Sequence, residues 1–233
     1  MIRGASVLSV IRIKIVENAR KLGIHIAYGV VEGVVVEKNR VDVKEYAKQL
    51  VKRIREQYNV ERLKEHPIIR AYRDFYWRIG IDPTKTRPSS EALLRRILRT
   101  GSIPLINNVV DAGNFASVET LVPIGIYDLD KVKGELRLRL SMRDELFEPI
   151  GGSTEILEEG IPVLADDEKI LHLYPHRDSK YTMVRGDTRR VLVIACGVPN
   201  VPRELVRHAA KKTIEYIVRF AQGKVVGEVL YEY

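Results

Sequence analysis

Cysteine is almost missing from this chain. A single one, Cys196, stands among 233 residues, so no intrachain disulfide can form and no cysteine-rich zinc site can be assembled. That scarcity suits a reducing, cytoplasmic setting. Long apolar runs are lacking too. The longest, Val191–Val198, is far too short to span a bilayer, and no membrane partner is expected. Met1–Arg12 holds a short apolar patch without a cleavage-like end, so it does not read as a signal peptide. Several enzyme templates are also absent: Gly-x-Gly-x-x-Gly, the P-loop, Gly-x-Ser-x-Gly and His-Glu-x-x-His. No cofactor and no metal is therefore expected. His172 and His176 are four residues apart, but Pro175 between them breaks helical geometry, and Cys196 lies in an apolar run where a buried, inert thiol is the natural reading.

What is present is a globular balance of 45% hydrophobic and 30% charged residues, enough to build a sizeable core without staples. The length fits one large domain, or a smaller core with an added module. Charge is uneven. Residues 1–100 carry 22 Lys and Arg against 11 Asp and Glu, whereas residues 101–233 carry 17 against 20, so the net +8 comes from the first part. A positive segment attracts polyanions. The same charges are also compatible with a salt-bridge-laced surface.

Alternation at Ile11, Ile13 and Ile15 suggests a strand, and Val16–Gly23 a short helix. Ile24–Glu37 is rich in β-branched residues and reads as a long strand or bent pair, with Gly29 and Gly33 as kinks or bulges. Asp42, with Glu45 three residues on, opens a helix whose stripe is Val43, Ala47, Leu50, Val51, Ile54 and Tyr58. Further helices are expected over His66–Ile79, Ser89–Thr100 and Pro202–Gln222. In the Ser89–Thr100 helix Leu93, Leu94, Ile97 and Leu98 share the inner face, with Arg95, Arg96 and Arg99 opposite. Leu136–Leu140, Ile161–Ala165, Ile170–Tyr174, Val191–Cys196 and Val225–Tyr231 read as strands. Helices early and strands late favour an α+β fold.

Two polar clusters stand out. Asn107, Asn108, Asp111 and Asn114 fall at the start and along one side of a helix, where they can bind a small polar ligand or cap the helix and satisfy buried backbone. Arg177, Asp178, Ser179 and Thr182 form a dense donor and acceptor loop, equally compatible with a hydrogen-bonded turn. Arg95, Arg96 and Arg99, with Lys85 and Arg87 before them, are the phosphate-contact candidates, against the alternative of a solvated helix face.

Three stretches in this order, Ala71–Arg96, Ile106–Asn114 and Leu121–Asp130, followed by Thr188-Arg189-Arg190-Val191-Leu192, resemble the B3/B4 domain of the phenylalanyl-tRNA synthetase β subunit in its stand-alone form. The resemblance implies a three-layer α+β fold with an unusual β-sandwich core flanked by helices. It implies a division into an N-terminal strand and helix extension (1–65), a B3/B4-like domain (66–220) and a C-terminal strand on the same core (221–233). It implies tRNA or aminoacyl-tRNA as partner and aminoacyl-tRNA editing, an ester hydrolysis in which a pocket holds an activated substrate and orients water. The chain would then be a deacylase rather than a complete ligase, since it shows no aminoacylation motif. Asn107, Asn108, Asp111, Asn114, Tyr127, Arg177, Asp178, Ser179 and Thr182 are the expected substrate-binding residues, lining one cavity between the two clusters. No catalytic residue is assigned: the histidine that bacterial synthetases carry in the Pro-x-x-x-aromatic-Asp motif falls at Gly125, and a glutamate of their Gly-Gly loop falls at Lys180. The competing expectations are a small, amino-acid-like ligand bound in that cavity without RNA, and a protein-interaction module in residues 1–65.

Overall fold

The computed structural model describes residues 11–233, so the Met1–Arg12 patch lies, up to Val10, outside the described residues. In chain order, β1 (Ile13–Ile15), α1 (Glu17–Arg20) and β2 (His25–Glu32) precede α2 (Val41–Gln57), α3 (Pro67–Arg78), α4 (Ser89–Thr100) and α5 (Asn108–Thr120). The strands β3 (Ile124–Asp128), β4 (Leu136–Leu140), β5 (Leu146–Phe147), β6 (Glu155–Ile156), β7 (Pro162–Ala165), β8 (Ile170–Leu173), β9 (Arg177–Asp178) and β10 (Arg190–Gly197) follow, then α6 (Arg203–Ala221) and β11 (Lys224–Glu232).

Two sheets carry the fold. One has the strand order β1-β4-β7-β8-β9, the other β11-β2-β10-β3. They face each other across a shared core in which Ile26, Tyr28, Leu192 and Ile194 of the second sheet meet Ile13, Ile15, Leu136, Leu138 and Leu164 of the first. Helices α5 and α6 cover the far side of the second sheet, where Val109, Ala112, Ile214 and Ile217 pack on Val31, Val191 and Val193. Helices α2 and α4 lie outside α5: Leu50, Ile54, Leu94 and Ile97 close over Phe115 and Val118. Sandwich and helices together make the layered α+β architecture.

Local sequence explains most boundaries. α3 starts at Pro67, with the His66 ring accepting the Ile68 N–H as N-cap, and α4 stops at Gly101 in the left-handed conformation. Two details depart from the sequence reading. α2 begins two residues earlier than a cap at Asp42 would place it, with Arg40 at the N-cap position without a side-chain cap bond and Asp42 engaged by the Arg40 guanidinium instead. α4 buries Ser90, Glu91, Leu94 and Ile97 rather than Leu93 and Leu98, which stay half-buried at the edges of that stripe. At Gly29, β2 keeps unbroken register with β10, and the irregularity falls in β11, whose pairing with β2 shifts between Val226 and Leu230, opposite Gly29. Residue 29 is glycine because α6 comes so close that a Cβ there would sit 2.7 Å from Ile214 Cδ1.

Candidate functional site

The motif residues that make the chain recognisable meet one another in space. The buried Thr188 hydroxyl donates to Asp128 Oδ2 at 2.7 Å, and Asp128 Oδ1 accepts the Asp130 N–H, so the third and last stretches close on each other. Within the first stretch, Glu91 is 1% exposed and takes two bonds from Arg73 (2.8 Å each) and one from Arg95 Nε (2.6 Å). Burial pushes the Glu91 carboxyl up, but the bonds from Arg73 and Arg95 outweigh it and hold it below its ordinary value. Arg95 is therefore a fold-holding residue, not the phosphate contact expected from its spacing.

The Asn cluster is likewise built into the fold. Asn107 caps α5, its Oδ1 accepting from the Val109 and Val110 N–H groups. Asn108 accepts the Glu37 N–H and donates to the carbonyls of Val35 and Phe220, stitching the β2–α2 loop to the end of α6. Both side chains are engaged on backbone groups, Asn107 through its carbonyl oxygen and Asn108 through both ends of its amide. Asn114, one helical turn beyond Asp111, is half-buried. Asp111 accepts the Ile106 N–H (2.7 Å) yet borders a cavity of about 380 Å³, shared with Asn108, Lys38, Arg40, Lys44, Leu105 and Ile106. Burial pushes its carboxyl up to about 6, against the hydrogen bonds from Ile106 and Asn107. A raised carboxyl binds its proton more tightly when folded, so it contributes stability below the unfolded value and loses it as pH rises toward 6. Asp111→Asn should flatten that decline and gain about 1–2 kcal/mol near neutrality, less than the full shift because the group borders an open cavity. Urea titrations between about pH 4 and 8 would check this, and an unchanged pH profile would remove Asp111 as its source.

Tyr127, Arg177, Asp178, Ser179 and Thr182 lie elsewhere. Strand alternation turns Ile124 and Ile126 toward α5, where both lie against Gly113, and turns Gly125 and Tyr127 toward the other sheet. The four-stranded sheet thus stands between the two clusters, and the single cavity expected between them does not form. On its inner face Asp178 Oδ1 is 2.8 Å from His172 Nδ1, and His172 Nε2 is 3.9 Å from the Cys196 sulfur. Around them stand Tyr127 and Tyr174, while Tyr72 donates to the Cys196 carbonyl at 2.6 Å. Burial, then the nearby Asp178 carboxylate, raises the Cys196 thiol well above its ordinary value, so despite its imidazole neighbour it stays a thiol. Ser179 caps a short turn, Arg177 pairs with Glu155 at 2.5 Å, and Lys180 pairs with Glu148. Thr182 is fully buried and its hydroxyl has no partner among the described residues.

Gly125 is what lets Tyr127 lie there. A Cβ at 125 would be 2.0 Å from the Tyr127 hydroxyl and 2.5 Å from Cζ. The phenol occupies the space into which a side chain at 125 would project, and its Oη has no hydrogen-bond partner of normal geometry among the described residues. Burial, then the nearby Asp178 carboxylate, raises its pKa well above 10. From the sequence, Tyr127 and Asp178 are site candidates and Cys196 a buried, inert thiol, as found, while the contact of His172 with Asp178 and the surrounding Tyr72 and Tyr174 are not anticipated. The one available signal was the His-x-Tyr alternation of residues 172 and 174 in an otherwise apolar strand.

Of the phosphate-contact candidates, Lys85, Arg96 and Arg99 are exposed and Arg87 is half-buried. Lys44, Lys48 and Lys52 form an exposed row on α2, and the Arg55 guanidinium reaches Gly101 at the end of α4. None of Lys44, Lys48, Lys52, Arg55, Arg96 and Arg99 has a carboxylate partner among the described residues. The outer helical tier therefore carries an excess of positive charge, six cations without an ion pair against the exposed Glu45 and Glu56 of α2.

The family model of the B3/4 domain matches residues 71–222. The chain is similar to the phenylalanine–tRNA ligase β subunit of Fusobacterium nucleatum, 32% identical over 113 residues that make up 48% of this chain and 14% of that protein. It is similar also to the corresponding subunit of Anaeromyxobacter dehalogenans, 32% identical over 155 residues, 64% of this chain and 19% of that one. The chain spans under a fifth of the length of these two relatives. Among solved structures, an N-terminal fragment of the phenylalanyl-tRNA synthetase β subunit from Pyrococcus horikoshii superposes with a TM-score of 0.51 at 18% identity, covering 93% of this chain and 50% of the fragment.

Proposed function

Because this chain belongs to the B3/4 domain family and is related to phenylalanine–tRNA ligase β subunits, we propose that it binds tRNA or aminoacyl-tRNA in trans, holding the RNA backbone against the outer helical tier. The observation that carries the reading is the excess of basic charge on α2 and α4: the exposed Lys44, Lys48, Lys52, Arg55, Arg96 and Arg99 sit on two helices that pack side by side. Phosphates displace condensed counterions when they meet such a surface, which is a favourable, sequence-independent term.

Ester hydrolysis is not part of the proposal. An editing pocket on the inner face of β3 would need room beside residue 125, and Tyr127 takes that room. A second reading rests on the cavity at Asp111, whose cationic rim and apolar wall of Leu105 and Ile106 suit a small zwitterion. Salt separates the two. RNA affinity should fall about tenfold or more between about 50 and 200 mM salt, whereas affinity for a zwitterion should scarcely move.

The test is a binding titration with tRNA across that salt range. Lys48, Lys52, Arg96 and Arg99 changed together to alanine should weaken binding at least about tenfold and flatten the salt dependence by roughly 0.7–0.9 for each phosphate no longer neutralised. Absence of tRNA binding at the lowest salt would overturn the reading, and an unaltered quadruple variant would move the interface elsewhere.

A further inference from the structure

The most acidic part of the sequence hides a second basic surface. Along α6, Arg203, Arg207 and Lys211 recur every four residues, and all three are exposed. Beside them runs β11, the edge strand of the four-stranded sheet. Its last aromatics interleave with the arginines: Arg203 lies 4.4 Å from the Tyr233 ring centre and 5.7 Å from that of Tyr231, and Arg207 lies 5.0 Å from Tyr231. The two tyrosine rings are 6.3 Å apart with planes tilted by 33°.

Three features of this ladder are not explained by folding alone. Cations in the first turns of a helix oppose its dipole, so α6 gains nothing from Arg203 and Arg207. Glu204 is next to Arg203 in sequence and close to the Tyr231 ring, yet neither arginine pairs with a carboxylate among the described residues; both rest on tyrosine faces instead. Tyr233 is 60% exposed, so one end of the ladder presents an aromatic ring to solvent. Flat cation and aromatic surfaces in alternation match a strand of unpaired bases: rings stack on bases and guanidinium edges take phosphates.

We propose that the Arg203–Arg207–Tyr231–Tyr233 ladder is a binding site for single-stranded RNA, separate from the α2–α4 face. The inference rests on an RNA partner, as the proposed function does, but on different residues and a different RNA form. A duplex buries its base faces and offers the ladder only phosphates, whereas a single strand offers both.

The experiment uses the whole chain with two labelled probes, a single-stranded oligoribonucleotide of about ten nucleotides and a hairpin duplex, read by fluorescence anisotropy. Tyr233→Ala should weaken single-strand binding about 5- to 100-fold and leave the duplex unaffected, while Tyr233→Phe retains both. Arg203→Gln with Arg207→Gln should weaken the single strand and lower its salt slope by roughly 1.4. The proposal is overturned if Tyr233→Ala changes nothing or weakens both probes alike. Wild-type binding to tRNA but not to the single strand rejects the ladder and spares the α2–α4 reading; single-strand binding without tRNA binding does the reverse. Binding to neither rejects both.

Discussion

Glu91→Ala should destabilise the protein by about 3–5 kcal/mol, measured by urea or thermal unfolding near neutral pH. The carboxylate is fully buried between two guanidinium groups, and Arg73 and Arg95 are themselves mostly covered. Removing it leaves two cations facing each other in a poorly solvated space, which costs far more than the net worth of the ion pairs when intact. The same triad sets a pH limb. The carboxyl of Glu91 lies below its unfolded value, so its contribution is present above about pH 4.5 and is lost as pH falls through the folded value. Glu91→Gln, which keeps the shape and some acceptor capacity, should fall between the two and should blunt the acid limb. A loss under about 1 kcal/mol for Glu91→Ala would mean that water enters the site and screens the arginines.

The second large effect concerns residue 125. Gly125→His, which installs the residue that the bacterial motif carries, should cost at least about 3 kcal/mol, because its Cβ alone would overlap the Tyr127 phenol and that ring is fully buried with nowhere to rotate. Combining it with Tyr127→Val removes the obstruction. The double variant should be more stable than the two single losses predict, by a coupling of about 1–3 kcal/mol. Additive losses in that cycle would show that the backbone of β3, not the ring, rejects the new side chain. A functional readout accompanies the stability one: the double variant opens the inner face of β3, and any Tyr-tRNA hydrolysis that emerges in it alone would identify Tyr127 as the plug.

These two positions also show what the sequence could reveal. The helices and most strands were legible because their signals are local: Pro67 at the start of α3, Gly101 after α4, and the alternation of Leu136, Leu138 and Leu140 in β4. The family was legible because its motifs are the fold's own fasteners, as the Arg73–Glu91 and Thr188–Asp128 bonds make plain. For the same reason the motifs misled about the site. A buried asparagine holding three backbone groups and one lining a pocket look alike in a linear string. Asn108 is told apart only by its partners Glu37 and Phe220, which lie 71 and 112 residues away. The side of the sheet on which a residue lies depends on pairing register, and the partner of β3 is β10, with β4 to β9 in between. The basic row of α6 is invisible to charge summed by segment, because glutamates and aspartates elsewhere in the second part of the chain outweigh it.

The position of β2 carries a kinetic consequence. Its neighbours in the sheet are β10 and β11, so both of its hydrogen-bonding edges wait for residues 190–232. On the ribosome an apolar eight-residue strand is thus made early and matched last, after some hundred and fifty further residues have emerged. Loop closure over that separation makes folding slow, and the orphaned strand is a template for pairing between chains in the meantime. Yield during synthesis should accordingly depend on holdase chaperones and on low temperature more than the stability of the finished molecule would suggest.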